Sequence, residues 1–198
     1  GDLYEVGRAD IVGQYVGQTA PLVKNLFRKA KGSVLFIDEA YSLVDDRDGL
    51  YGDEAINTIV QEMENNREDT VVIFAGYPDK MEGFLDKNPG LRSRIAFHIS
   101  FEDYNEDELL QIAELTAKKS NMQFTDDAKI KLKDLFVENK KSTDFGNGRF
   151  VRNVFEKAKM EQANRLVNMN YSEVTNDVLS TLTASDIVIP EKTKPQAT

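Results

Sequence analysis

The chain has 198 residues, of which 40% are hydrophobic and 30% charged, the composition of a globular protein able to bury a sizeable core in one domain or one and a half. Its 34 acidic side chains outnumber 25 basic ones, and the formal charge of −9 argues against a general nucleic-acid binder. Cysteine is absent, which removes disulfide frameworks, thiol nucleophiles and thiolate metal sites, and His98 as the one histidine argues against zinc ligation. No run approaches the roughly 18 apolar residues of a membrane helix and no signal-peptide pattern opens the chain, so no membrane partner is expected and the cytoplasm is the default location.

In chain order, Leu3 to Val6 is a short strand-like run, and Asp10 to Thr19 reads as a loop that carries Gly13, Gly17 and the pair Tyr15-Val16. Thr19 is placed to cap a helix with Pro21 in its first turn, and Leu22, Val23, Leu26, Phe27 and Ala30 recur at helical spacing up to Gly32. Val34-Leu35-Phe36-Ile37 is a strand of the kind buried on both faces. A polar loop, Asp45 to Gly49, leads into a helix with Ala55, Ile56, Ile59, Val60 and Met63 on one side. Thr70 to Ala75 predicts another buried strand, and Asn88-Pro89-Gly90 a turn. Phe97, Ile99 and Phe101 alternate as in a fourth strand, with His98 on its opposite face in a structural role.

Beyond Asp103 the pattern is helical throughout. Asn105 and Glu108 form a capping-box signature before Leu109, Leu110, Ile112, Ala113 and Leu115. Thr125 opens a helix with Ile130, Leu132, Leu135 and Phe136, and Gly146-Asn147-Gly148 precedes a longer one with Val151, Val154, Phe155, Ala158, Leu166 and Met169. The fold class expected is α/β, a parallel sheet with flanking helices over residues 1–103, followed by a small α-helical lid over 104–190 and a frayed tail over 191–198.

Two carboxylates, Asp38 and Glu39, follow the Val34–Ile37 strand at once. Open parallel sheets bind ligands beyond the carboxyl ends of their strands. In a P-loop NTPase the first acid of such a pair helps hold Mg²⁺ and the second polarises the attacking water. The alternative is that both merely cap the segment that follows.

Five blocks together resemble AAA+ ATPases of the CbbX and SpoVK group: Tyr15-Val16-Gly17-Gln18-Thr19-Ala20, Val34 to Leu43, Phe74-Ala75-Gly76-Tyr77, Asn88 to Arg94, and Gly146 to Asn153. They stand in the family's order across roughly Leu3 to Ile187. The group includes red-type Rubisco activases and stage V sporulation proteins, understood as hexameric ring ATPases that use ATP with Mg²⁺ to remodel protein substrates. The resemblance makes Asp38 and Glu39 the Walker B pair and Arg94, with Arg92 as the alternative, the arginine finger. It makes Arg149 the sensor-2 arginine, and Tyr15 with Val16 and Gly17 the pore loop that grips a polypeptide. Tyr77 stands where many relatives place a sensor-1 asparagine or threonine, and a tyrosine hydroxyl can also hydrogen-bond. Asp45 to Tyr51 is placed as a second pore-facing loop.

No G-x-x-x-x-G-K-S/T phosphate cradle occurs in the sequence. The family places that loop, with a central strand of the sheet, before the position of Leu3, so the chain is expected to begin after it, to bind nucleotide poorly alone, and to leave a gap or a new edge in the sheet. Two functional classes stay open: a remodelling ATPase, and a non-hydrolysing interaction module built on the same fold.

Overall fold

The computed structural model describes residues 1–44, 49–141, 145–170 and 173–189. They fall into two compact units, Gly1–Ser100 and Phe101–Thr198. Among the described residues no helix is long and apolar enough to cross a membrane.

The first unit is built on three parallel strands, β1 (Leu3–Val6), β2 (Val34–Ile37) and β3 (Val71–Phe74), in the spatial order β1-β2-β3. Their register places Leu3, Val34 and Val71 side by side, and Val6, Ile37 and Phe74 likewise. Because side chains alternate along a strand, one face carries Tyr4, Val6, Leu35, Ile37, Val72 and Phe74. That face packs into the core with Val23 and Phe27 of α2 (Thr19–Lys29), Ala55, Ile56 and Ile59 of α3 (Gly49–Asn65), and Phe84 and Leu85 of α4 (Pro78–Lys87). The helical faces anticipated for α2 and α3 are the ones that pack into the core, except that Leu22 of α2 is exposed.

The other face departs from expectation. Leu3, Val71 and Ile73 are 64%, 59% and 43% exposed while Val34 and Phe36 are half-buried, so this face is covered less than the first and the strands are not buried on both sides. Within this unit the described helices contribute to one core, and it lies against the first face.

Several local expectations need correction. Residues 95–105 form no strand, and Phe97, Ile99 and Phe101 are 85%, 78% and 91% exposed. A strand exists only where a neighbour accepts its ladder bonds, and alternation alone supplies none. His98 therefore lies in an irregular segment. A four-residue helix α1 (Arg8–Ile11) occupies part of the Asp10–Thr19 loop. Thr19 opens α2 as its first residue instead of capping it: it is fully buried, and its hydroxyl accepts the Gly13 N–H at 3.1 Å. Residues 45–48 and the 191–198 tail lie outside the described residues; Gly49, placed in the loop, begins α3. A short 3₁₀ segment, Ala40–Val44, follows β2, and the expected Asn-Pro-Gly turn opens α5 (Pro89–Arg92), with Asn88 as its N-cap.

The second unit packs α6 (Glu106–Lys119), α7 (Asp126–Asn139) and α8 (Gly148–Val167) around Leu109, Ala113, Leu132, Phe136, Val151 and Phe155. The capping box forms in full: Asn105 Oδ1 accepts the N–H groups of Asp107 and Glu108 at 3.0 and 2.9 Å, and Glu108 returns a bond to the Asn105 N–H at 2.8 Å. Thr125 caps α7 through Ala128. Ile130 and Leu115, counted with the apolar faces, are 65% and 59% exposed, and α8 stops before Met169.

This unit is not helical throughout. A parallel pair, β4 (Gln123–Phe124) and β5 (Thr181–Leu182), joins its two ends, with α9 (Asn176–Ser180) leading into β5. The buried Gln162 of α8 holds that region, its amide donating to the carbonyls of Val178, Leu179 and Thr181 at 3.3, 3.1 and 2.9 Å. Two-residue strands are too short for alternation to show in a sequence.

Candidate functional site

At the carboxyl end of β2 the chain turns sharply. The Asp38 N–H donates to Val6 at the end of β1 (3.1 Å), and the Ala40 N–H to Ala75 just past β3 (3.0 Å). Between these anchors Glu39 adopts φ 46°, a left-handed conformation that costs a non-glycine residue energy and persists where the surroundings impose it. Asp38 Oδ1 accepts the Glu39 N–H at 2.9 Å, and the Glu39 carbonyl accepts the Ser42 N–H at 2.7 Å. Both carboxylates are exposed and line a cleft with Glu5, Gly7, Arg8 and Ser42. The Arg8 guanidinium donates to the Ser42 carbonyl and so braces the turn. The bonds to the neighbouring strands that anchor this turn are backbone ones, and both carboxylates remain exposed to the cleft.

Tyr41 and Tyr77 meet beside the pair, their ring centroids 6.5 Å apart, with Lys80 Nζ 4.8 Å from the Tyr41 ring and 5.5 Å from that of Tyr77. Burial, the hydroxyl's hydrogen bond with Glu39 and the nearby negative charges raise the Tyr41 pKa above that of an ordinary phenol. Tyr77 itself is 59% exposed and stands as N-cap of α4, before Pro78. Tyr41 lies inside a block quoted from the sequence, yet no role attached to it there. Only the fold brings its ring against Gly76 and its hydroxyl to Glu39.

The two finger candidates differ in how they are held. Arg92 Nη2 pairs with Glu82 at 2.7 Å and Asp86 at 2.9 Å, both on α4, and those bonds raise its pKa further. Arg94, in the turn after α5, donates to the Gly90 carbonyl at 3.0 Å and has a looser 3.6 Å pair with Glu64. None of these contacts involves Asp38 or Glu39.

Tyr15 and Val16 sit at the tip of a tight loop. The Gln18 N–H donates to the Tyr15 carbonyl at 3.2 Å, closing a four-residue turn whose third residue, Gly17, has φ 80°. That value belongs to a type II turn, which favours glycine there. At the loop's base a Cβ on Gly13 would lie 2.5 Å from the Gln18 Cβ, so only glycine fits. The tip is exposed: Tyr15 68%, Val16 85%. Arg149, in the first turn of α8, belongs to the second unit; its side chain is exposed and makes no hydrogen bond or ion pair among the described residues.

Among the described residues no three His, Asp or Glu side chains are grouped to hold a metal. The pair fits the other mode of Mg²⁺ binding, in which one or two carboxylates act with phosphates and water. Asp38 is exposed, and its described bond uses one oxygen only.

Residues 2–103 match the sequence model described as the ATPase family associated with various cellular activities (AAA), and residues 105–197 match that of the AAA lid domain. The chain is 45% identical over 191 residues to the chromosomal protein CbxX of Cupriavidus necator, covering 95% of this chain and 60% of that protein. It is 46% identical to protein CbbX of Cereibacter sphaeroides (94% and 61%) and 46% identical to a CfxQ homologue of Pyropia yezoensis (95% and 63%). It thus spans about three fifths of the length of these curated relatives. A crystal structure of the FIGL-1 AAA domain in complex with ADP superposes with a TM-score of 0.63 at 18% identity, over 92% of this chain and 59% of that one, a likeness of fold. The chain belongs to the AAA ATPase family, as an AAA domain followed by an AAA lid domain, and is similar to the CbxX and CbbX proteins over the part it spans.

Proposed function

We propose that the chain supplies the Walker B pair, finger, sensors and lid of an ATP-hydrolysing motor that remodels a protein substrate through the pore of a hexameric ring. The observation that carries this reading is the turn after β2: two open carboxylates at the end of the central parallel strand, the second in a left-handed backbone anchored to both neighbouring strands. Asp38 is the carboxylate for Mg²⁺, and Glu39 orients the attacking water. When bound, ATP and Mg²⁺ supply the phosphoryl group and the charge that neutralises it. Arg94 serves as finger, a planar permanent cation suited to spread phosphate charge, with Arg92 the alternative. Tyr77 is the sensor-1 candidate and Arg149 the lid's contact with nucleotide. Tyr15, Val16 and Gly17 grip the threaded polypeptide. The motor works in the cytoplasm, with neither nucleic acid nor membrane as partner.

The test is Glu39→Gln in the longest protein that contains this chain. Nucleotide affinity should hold within about 2-fold while turnover falls about 100-fold or more, the size of effect expected for a group that acts on a proton in flight. Equal loss of both would make the pair structural. The second reading is a non-hydrolysing interaction module built on the same fold. That reading gains if neither this chain nor its longest form binds ATP.

A further inference from the structure

Asn147 holds a backbone conformation it has no intrinsic reason to adopt. Its angles are φ 45° and ψ −119°, and the Arg149 N–H donates to the Gly146 carbonyl at 2.8 Å, closing a four-residue turn with Asn147 as its second residue. Those angles belong to a type II′ turn, where glycine is at home and a side chain is strained. Glycine stands on both sides, at 146 and 148, yet not at the strained position itself. Strain of this kind persists only where surrounding bonds over-determine it.

The bonds come from the side chain. Asn147 Oδ1 accepts the Tyr104 N–H at 3.1 Å, and its Nδ2 donates to Asp103 Oδ1 at 2.6 Å. It does not cap its own helix through the side chain; its carbonyl accepts the Val151 N–H at 3.0 Å instead. The next residue after Tyr104, Asn105, is bound to α6 by the capping box. The segment through which the chain enters the second unit is therefore fastened forward to α6 and, across more than forty residues of sequence, to the first turn of α8. Two positions past the latch comes Arg149.

We propose that Asn147 is a positioning residue, locking Asp103–Tyr104 to the first turn of α8 so that the entry to the lid and Arg149 move as one body. The inference rests on the reading of Arg149 as the lid's nucleotide contact. A motor must convert a change at the nucleotide into motion of the lid, and a lock between the lid's entry and the helix that bears the arginine transmits it. Aspartate cannot replace Asn147 in this role: it keeps an acceptor for Tyr104 but sets two carboxylates against each other. Glycine removes the lock and the strain together, so it isolates the side chain's contribution.

The experiment compares Asn147→Gly, Asn147→Asp, Arg149→Ala and the Asn147→Gly/Arg149→Ala double variant in the longest protein that contains this chain. In Asn147→Gly the Tyr104 amide should exchange with deuterium about 10-fold faster or more. The melting temperature should stay within about 3 °C, since relieved strain offsets the looser unfolded chain. KM for ATP should rise toward the Arg149→Ala value, with the double variant no worse than Arg149→Ala alone. Asn147→Asp should follow in the same direction. Unchanged Tyr104 exchange overturns the proposal, as does faster exchange with a wild-type KM while Arg149→Ala raises it. A wild-type KM in Arg149→Ala rejects the nucleotide-contact reading and the coupling with it, and Tyr104 exchange then still reports separately on the lock.

Discussion

Gly76 lies so close to Tyr41 that a Cβ there would sit 2.8 Å from both Cδ1 and Cε1 of the ring, and 2.8 Å from the Met81 sulfur. Met81 is flexible and can swing away. The ring cannot yield without disturbing its contact with Tyr77, the Lys80 ammonium above it and its hydroxyl's bond to Glu39. Gly76→Ala should therefore cost about 1–3 kcal/mol in urea unfolding, as overpacking does. It should also lower turnover more than nucleotide affinity, because the displaced ring carries its hydroxyl away from Glu39. Wild-type stability with an unmoved Tyr41 would show that the neighbours give way at no cost.

Asp186 contributes to the acid sensitivity of the second unit, alongside Asp127 and Glu161, whose pKa values are also lowered. It is 1% exposed, and burial alone would raise its pKa. Arg165 reverses that through two bonds, Nε to Oδ1 at 2.9 Å and Nη2 to Oδ2 at 2.8 Å, and Thr183 adds its N–H at 2.8 Å and hydroxyl at 3.0 Å. The net shift is downward. A carboxyl whose folded pKa lies below its unfolded value of about 4 stabilises the fold above that pH, and the contribution drains away as pH falls through the folded pKa. Thermal unfolding should accordingly show stability falling below about pH 4. Asp186→Asn should flatten that slope and cost about 3 kcal/mol at neutral pH, since it leaves Arg165 without its charge partner. An unchanged acid slope would mean other carboxylates set it.

The segment from Phe97 to Phe101 yields a prediction of no effect. All three large apolar side chains are open, so replacing Phe97, Ile99 and Phe101 together by serine should change the unfolding free energy of this chain by no more than about 1 kcal/mol. Were the segment a buried strand, three such truncations would each cost several times that. Urea denaturation distinguishes the two outcomes directly.

How much the sequence disclosed follows from the range of the forces involved. The capping box at Asn105 and Glu108 and the faces of α2 and α3 arise within a few residues, and they appear in the fold as read. The larger failures are matters of distant partners. Phe97, Ile99 and Phe101 alternate like a strand but have no ladder, while Gln123–Phe124 pair with a strand nearly sixty residues away and show no pattern at all. At the candidate site the motif Asp38-Glu39 was legible because its residues are adjacent. The left-handed turn of Glu39 and the ring of Tyr41 beside Gly76 were not, since both are imposed by strands brought together from elsewhere in the chain.

In the loop from Val12 to Gln18 the exposed tip is separate from the contacts that fix the loop's form. Tyr15 lies at its tip, 68% exposed, while the loop's form is fixed at its base by the Gly13–Thr19 bond and at its turn by Gly17. Tyr15→Ala should then leave the melting temperature and basal ATP turnover of the longest protein close to wild type, for the ring is exposed and no bond among the described residues depends on it. What it removes is a broad, stiff apolar contact that loses little entropy on binding and tolerates many sequences. Remodelling of a protein substrate per ATP consumed should fall severalfold, whereas Gly17→Ala, which forces a side chain into φ 80°, should lower both stability and remodelling. If Tyr15→Ala remodels as efficiently as wild type, the tip does not touch the substrate and the gripping surface lies elsewhere.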